Sequence, residues 1–326
     1  MFPVVLALAL GFNFLNGFLD SSSLVATVIS SRALHPRTAL ALAGLAGFAG
    51  PFVFGLAVAT TVGTGFLRTD ALTLAVLASG LAAAVVWSLL TWLFALPSSS
   101  SHALFGGLIG SAVLASGVPV VLLPGLAKIL VALVAAPIVG LAAGFLVMRL
   151  TLWAVRNATP RVSGVFRRLQ VLTLIGLALS HGTNDAQKSM GVIALALVLA
   201  SRQARFEIPL WIVAVSAAAI AIGTSIGGWR LIRTLGGRIY RIRPIHGFAS
   251  QAAGGAVILG AALLGGPVST TQVLSSAITG VGAAERWGKV RWAVLRHMAT
   301  AWILTLPATA LMSAGIYATL GQLGVR

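Results

Sequence analysis

Apolar residues run along this chain in long stretches, at about residues 2–29, 38–66, 71–96, 103–115, 120–147, 169–200, 208–226, 245–264 and 298–323, with a short piece ending near 282. Clusters of Arg, Pro or Gly separate most of them. Several reach the roughly 20 apolar residues that a membrane-spanning helix needs. Leu, Ala, Val and Gly come in continuous runs, not in the short alternating segments of a barrel, so the predicted elements are helices. Two stretches carry polar residues in their middles. The first holds Asn13, Asn16, Gly17 and Asp20-Ser21-Ser22-Ser23; the other holds Ser180-His181-Gly182-Thr183-Asn184-Asp185-Ala186-Gln187-Lys188-Ser189. Such interruptions predict broken helices. A charge at bilayer depth costs ~2.5–3.5 kcal/mol on insertion scales, so an Asp or Lys there marks a functional site.

The polar pattern occurs twice. Asp20 maps onto Asp185 at an offset of 165. Pro97-Ser98-Ser99-Ser100-Ser101-His102 maps onto Pro267-Val268-Ser269-Thr270-Thr271-Gln272 at an offset of 170, which also carries Gly110 onto Gly280. Two dissimilar motifs recurring in one order predict an internal duplication. The first repeat covers 1–148 with a hairpin at about 97–118; the second covers 169–326 with a hairpin at about 266–283. Residues 149–168 hold Arg149, Arg156, Arg161, Arg167 and Arg168 with Pro160 and Gly164, and read as a basic cytoplasmic linker.

Loop charge orients the repeats. We take five crossings per half, one supplied by the hairpin region, and an N-terminus outside. Sixteen Lys and Arg then fall inside, among them Arg32, Arg37, the linker arginines, Arg230, Arg233, Arg238, Arg241, Arg243 and the 286–296 group. Five fall outside: Arg68, Lys128, Arg202, Arg205 and Arg326. This is the sorting that basic cytoplasmic loops produce. Equivalent loops lie on opposite sides, so the repeats are inverted. The expected fold is an all-α integral membrane protein, a polytopic helical transporter with two inverted repeats, each containing a re-entrant helical hairpin. Cargo would bind where broken helices meet near the midplane.

Composition narrows the class. Charged residues make up 8% of the chain, against about 25% in soluble domains, and mean hydropathy is +1.02. The net charge of +17 belongs to the loops, and no basic domain stands clear of the apolar segments, so nucleic-acid binding is not expected. The absence of cysteine excludes disulfides, thiolate metal sites and a Cys nucleophile. The first ten residues lack the basic start of a cleavable signal. No phosphate-binding Walker loop or hydrolase elbow occurs, so no enzyme activity is expected.

Asp20 and Asp185 stand far from the loops, whereas Asp70, Glu207 and Glu285 stand at segment ends. Facing each other across a pseudo-twofold axis, the pair would ligate a cation or carry protons; capping of half-helices is the bland alternative. Lys188 follows Asp185 by three residues on the same helix face, suited to an ion pair, to holding an anion, or to both. Pro followed by hydroxyls reads as the start of a short helix. There the free N–H groups, the helix dipole and the hydroxyls of Ser99, Ser100, Ser101, Ser269, Thr270 and Thr271 would cradle a tetrahedral oxyanion. His102 and Gln272 follow at equivalent places and either donate to the anion or pack behind it. Gln251 is a weaker candidate. His35, His246 and His297 lie in or beside basic loops and are expected in solvent, and the histidines show no metal-ligand spacing.

Several of these motifs resemble those of inorganic phosphate transporters of the PiT type. They are Asn16-Gly17-Phe18-Leu19-Asp20 with Ala26-Thr27-Val28-Ile29-Ser30-Ser31-Arg32-Ala33-Leu34, Gly182-Thr183-Asn184-Asp185-Ala186-Gln187-Lys188-Ser189-Met190-Gly191, Gly247-Phe248-Ala249-Ser250-Gln251, and Pro267-Val268-Ser269-Thr270-Thr271. They spread in order over nearly the whole chain. The resemblance implies cation-coupled import of inorganic phosphate by alternating access across the cell inner (plasma) membrane. By that likeness the hairpin hydroxyls bind phosphate, and the Asp motifs, with Asn184 and Ser23, bind the coupling ion. Leu19, Ser23 and Gln272 depart from the family pattern. So does Lys188, where sodium-coupled members tend to have Asn. A Lys cannot ligate Na⁺, so the expectation leans to a proton, with Asp20 and Asp185 titrating and sodium as the alternative. No cofactor or resident metal is expected. Arsenate, a metal–phosphate complex, sulfate or another oxyanion stay open as cargo. A channel or a non-transporting scaffold is the reading from a different class. Membrane lipid and a homodimer complete the partners considered.

Overall fold

The computed structural model of the chain describes residues 1–94, 96, 98–159, 161–228 and 242–324. Pro97, Pro160, Arg230, Arg233, Arg238, Arg241 and Arg326, singled out above, lie outside the described residues. Among the described residues there are eleven α-helices and no sheet: α1 Phe2–Ser30, α2 Pro36–Phe54, α3 Ala57–Thr64, α4 Leu74–Leu93, α5 Ser100–Ser116, α6 Leu123–Ala154, α7 Val162–Leu199, α8 Leu210–Ile226, α9 Pro244–Leu263, α10 Thr270–Arg286 and α11 Trp292–Gln322. Six of these, α1, α2, α4, α6, α7 and α11, are long and apolar enough to cross a membrane. The chain is a multi-pass helical membrane protein. The basic connection is shorter than its 149–168 composition suggests, because α6 runs on to Ala154 and α7 begins at Val162.

The polar motifs do not break their helices. α1 and α7 run through Asp20 and Asp185 without interruption, against the expectation of half-helices. A helix satisfies its own backbone, and Asn, Asp and Ser leave that ladder intact when their side chains find other partners. The break falls in the 38–66 stretch instead. α2 ends at Phe54, Gly55 takes φ +80°, and α3 starts at Ala57. A carbonyl and an N–H are freed there, and Gln187 of α7 takes both. Its Nε2 donates to Gly55 O at 2.6 Å, and Ala59 N–H donates to its Oε1 at 3.0 Å.

Helix contacts come in matched pairs. α1 lies on α8 and α2 on α7; α5 lies on α11 and α10 on α6; α4 lies on α11 and α9 on α6. Exchanging the halves turns each contact into its partner. Glycines make the closest approaches, as small residues do where helices pack in lipid. A Cβ at Gly17 would stand 2.1 Å from Ile220 O, and one at Gly182 would stand 1.9 Å from Gly47 O. These two glycines are separated by the same offset as the two aspartates.

α4 and α5 form an antiparallel pair. Their outer ends meet where Ser116 Oγ donates to Ala71 O at 2.8 Å. Their turn reaches the middle of α1, where Trp92 packs edge-on against Phe18. α9 and α10 pair likewise, their ends joined by Arg243 and His246 on Glu285. His246, expected in solvent, is therefore buried, 3.0 Å from a carboxylate oxygen.

Candidate functional site

The turns of the two helix pairs bring two helix N-termini to the middle of the bundle. Ser99 caps α5 by accepting from His102 N–H at 3.2 Å. Ser269 precedes α10 and makes no side-chain cap, which leaves the first-turn N–H groups of Thr270, Thr271 and Gln272 uncapped. The two starts touch. Ser101 Oγ donates to Val268 O at 2.9 Å, and Gln272 Nε2 lies 3.4 Å from His102 Nδ1. The two hydroxyl clusters thus come together, with the positive ends of two helix dipoles at one point.

α1 brings Asp20, and α7 brings Asp185 and His181, to the same place. One ligand atom from each lies within 4.8 Å of the others. Carboxylates this close disfavour each other's charge, and donors surround them. Thr271 donates to Asp20 Oδ1, and Thr270 donates to Asp185 Oδ2 at 2.6 Å. His181 Nδ1 lies 2.6 Å from Asp185 Oδ2. The Lys188 ammonium pairs with Asp185 Oδ1 and also donates to Ser101 Oγ at 2.7 Å and to Val268 O at 2.9 Å. Asp20 Oδ2 has no partner among the described residues.

Every residue expected at the site is buried except His102, which is half-buried. Asp20, Asp185, Lys188, Ser101, His102, Thr270, Thr271 and Gln272 form the connected centre. Ser99 serves as a cap, while Ser100 and Ser269 line the same helix starts. Asn184 Nδ2 donates to Gly266 O at 3.2 Å and holds the turn before α10. The Ser23 hydroxyl sits one helical turn below Asp20 and is unpartnered among the described residues. Gln251 stands apart, accepting from Thr173 at 2.7 Å.

Two features escaped the sequence reading. His181 lies four residues before Asp185, on the same face, and the 165 offset aligns it with Asn16. Asn13, Asn16, Asp20, Ser23 and Thr27 step along α1 at intervals of three and four, and all are buried. That spacing was legible as one polar helix face. Asn13 ties α1 to α7 and α8 by donating to Ala186 O and Ser216 O and accepting from Ser189 Oγ.

A pocket of only ≈ 10 Å³, room for about one water, opens onto Asp20, lined by Leu19, Ser22, Thr91, Leu96, Ser98 and Thr271. A larger cleft of ≈ 580 Å³ between α6 and α9 is almost wholly apolar and does not reach the carboxylates. Its lining suits hydrocarbon, not an anion.

Residues 16–162 and 154–313 match the family described as Phosphate transporter family. A protein of Rhizobium meliloti (strain 1021) named probable low-affinity inorganic phosphate transporter is 40% identical over 321 residues, covering 97% of this chain and 96% of that one. A Bacillus subtilis (strain 168) protein of the same name is 39% identical over 326 residues, covering 98% and 97%. A solved structure described as the sodium-dependent phosphate transporter shares the fold, with a TM-score of 0.89 over 99% of both chains at 24% identity. On the matched residues and these relatives together, the chain belongs to the phosphate transporter family.

Proposed function

We propose that the chain is a symporter that imports inorganic phosphate across the cytoplasmic membrane by alternating access, with a proton as the coupling ion. The observation that carries this reading is the meeting of the α5 and α10 N-termini beside the Asp20–Asp185 pair in the buried centre. Uncapped N–H groups and hydroxyls hold an oxyanion with neutral donors. The names of the relatives point to phosphate as that oxyanion.

Coupling follows from which donors are already spent. Thr271 donates to Asp20. A proton taken up at the unpartnered Asp20 Oδ2 makes that group a neutral acid and a weaker acceptor. The Thr271 hydroxyl is then released to an anion. Proton and phosphate each favour the other's binding, as symport requires, because such linkage is reciprocal. Asp185 has both oxygens engaged, by Lys188 and by Thr270, so the two acids divide their roles. We take α4–α5 and α9–α10 as re-entrant hairpins of two inverted repeats. Each half then has three crossings, α1, α2–α3 and α6 or α7, α8 and α11, in place of the five expected from the sequence; both counts are odd, so the basic loops stay inside. Sodium is the second reading, favoured by the unpartnered Asn16, Asp20, Ser23 and Thr27 oxygens on one face of α1.

Uptake of labelled phosphate and sulfate into proteoliposomes tests this. The expected result is phosphate accumulation driven by an inward proton gradient without sodium. A strict sodium requirement would replace the proton, and uptake of sulfate alone would replace the substrate. Absence of both activities would end the transporter reading for this chain.

A further inference from the structure

We propose that the Lys188 ammonium is a tethered cation, filling a monovalent-cation position formed by the Asp185 carboxylate, the Ser101 hydroxyl and the Val268 carbonyl. Three oxygens of three kinds converge on Nζ, from α7, from the start of α5 and from the turn before α10. Carboxylates, hydroxyls and peptide carbonyls are the ligands that hard cations take, and non-helical carbonyls at membrane depth are a recurring part of such sites. An ammonium has three N–H donors and no acceptor. Lys188 spends all three on these oxygens, and its side chain is fully buried. No donor remains for an anion, so Lys188 acts on bound phosphate through its charge alone.

The first half shows the corresponding position without a lysine. The 165 offset sets Ser23 opposite Lys188. The Ser23 hydroxyl, Asp20 Oδ2, the Asn16 amide and the Thr27 hydroxyl are buried and unpartnered among the described residues. One half therefore holds its cation covalently, while the other leaves oxygens open to a free proton or ion. The carrier moves one fewer free cation per cycle than its two matched halves would otherwise take.

Lys188→Ser installs the residue of the counterpart position. Cation binding is read on purified protein without transport, so this proposal and the choice of coupling ion fail separately. Equilibrium dialysis with radioactive sodium in choline-balanced buffer gives the count. Lys188→Ser is expected to bind one more sodium ion per chain than the unsubstituted protein, and sodium is expected to raise its unfolding midpoint. Lys188→Met fills the volume without a charge or an oxygen and is expected to gain none. Equal counts in Lys188→Ser and the unsubstituted protein, or an equal gain in Lys188→Met, overturn the proposal. Should Lys188→Ser aggregate in choline, it is purified in sodium and in methylammonium. Recovery of monodisperse protein in either supports the proposal, and aggregation in all three salts overturns it.

Discussion

Removing one member of the Asp185–Lys188 pair is expected to destabilise the protein more than removing both. Both side chains are fully excluded from solvent. Asp185→Asn keeps the volume but leaves the ammonium facing neutral oxygens alone, the Asn amide, the Ser101 hydroxyl and the Val268 carbonyl. Breaking a buried ion pair from one side costs about 3–5 kcal/mol, because a charge is left uncompensated. At about 1.4 kcal/mol per factor of ten, the folded-to-unfolded ratio falls by roughly two to three and a half orders of magnitude. Lys188→Met leaves the Asp185 and Asp20 carboxylates together without their ammonium, so its loss should lie at the upper end. The double variant carries neither charge and is expected within about 2 kcal/mol of the unsubstituted protein. The cycle then closes with a coupling of at least about 4 kcal/mol. Denaturant unfolding of all four proteins in mixed micelles, followed by tryptophan fluorescence, measures it. Additivity within about 0.5 kcal/mol would refute the account, because uncoupled residues behave that way. Phosphate uptake should be lost in both single variants and stay lost in the double, which separates transport from stability.

Three further outcomes follow from particular contacts. Gln187→Leu leaves Gly55 O and Ala59 N–H without their partner; at about 1–3 kcal/mol for a buried unmet group, a loss of about 2–4 kcal/mol is expected in thermal unfolding. Gly182→Ala would drive a Cβ to 1.9 Å from Gly47 O, whereas a Cβ at Gly11 meets nothing within 4 Å; the first should cost about 1–3 kcal/mol by overpacking, and Gly11→Ala should be neutral or stabilising by up to about 1 kcal/mol. Thr271→Val removes the hydroxyl on Asp20 and should lower phosphate uptake by about tenfold or more, a loss of the size of one hydrogen bond to a charged group, while Thr271→Ser retains most of it.

The recurrence of the polar motifs was legible because the two halves share chemistry at nearly constant spacing. Asp20 with Asp185, and the hydroxyl runs ending in Ser101 and Thr271, identified the centre before any geometry. The broken helix was not legible. Gly55 is one of 37 glycines, and nothing local sets it apart. What selects that position is the Gln187 amide, distant in sequence, which takes both freed backbone groups. Conversely, polar residues inside α1 and α7 were read as breaks. Asn, Asp and Ser interrupt hydropathy but not the backbone ladder. His246 was misjudged for a related reason, since its burial depends on Glu285 on another helix. In each case the decisive partner lies far along the chain.

The asymmetry between Ser23 and Lys188 carries a consequence for the energy of transport. Two carboxylates and one ammonium give the centre one more negative than positive side chain. An approaching anion is repelled until one cation arrives, which links the two cargoes without any moving part. One proton together with dihydrogen phosphate brings no net charge, so the site carries the same charge loaded and empty. Moving one elementary charge across the membrane is worth about 2.3 kcal/mol per 100 mV, and a cycle of this composition escapes that term. Uptake into proteoliposomes under a fixed proton gradient should therefore be unchanged by a potassium diffusion potential of either sign. Lys188→Ser supplied with a second cation would add a charge, and its uptake should rise with an inside-negative potential. Stimulation of the unsubstituted protein by an inside-negative potential would mean that more than one cation accompanies each dihydrogen phosphate, and the charge count built on Lys188 would fall with it.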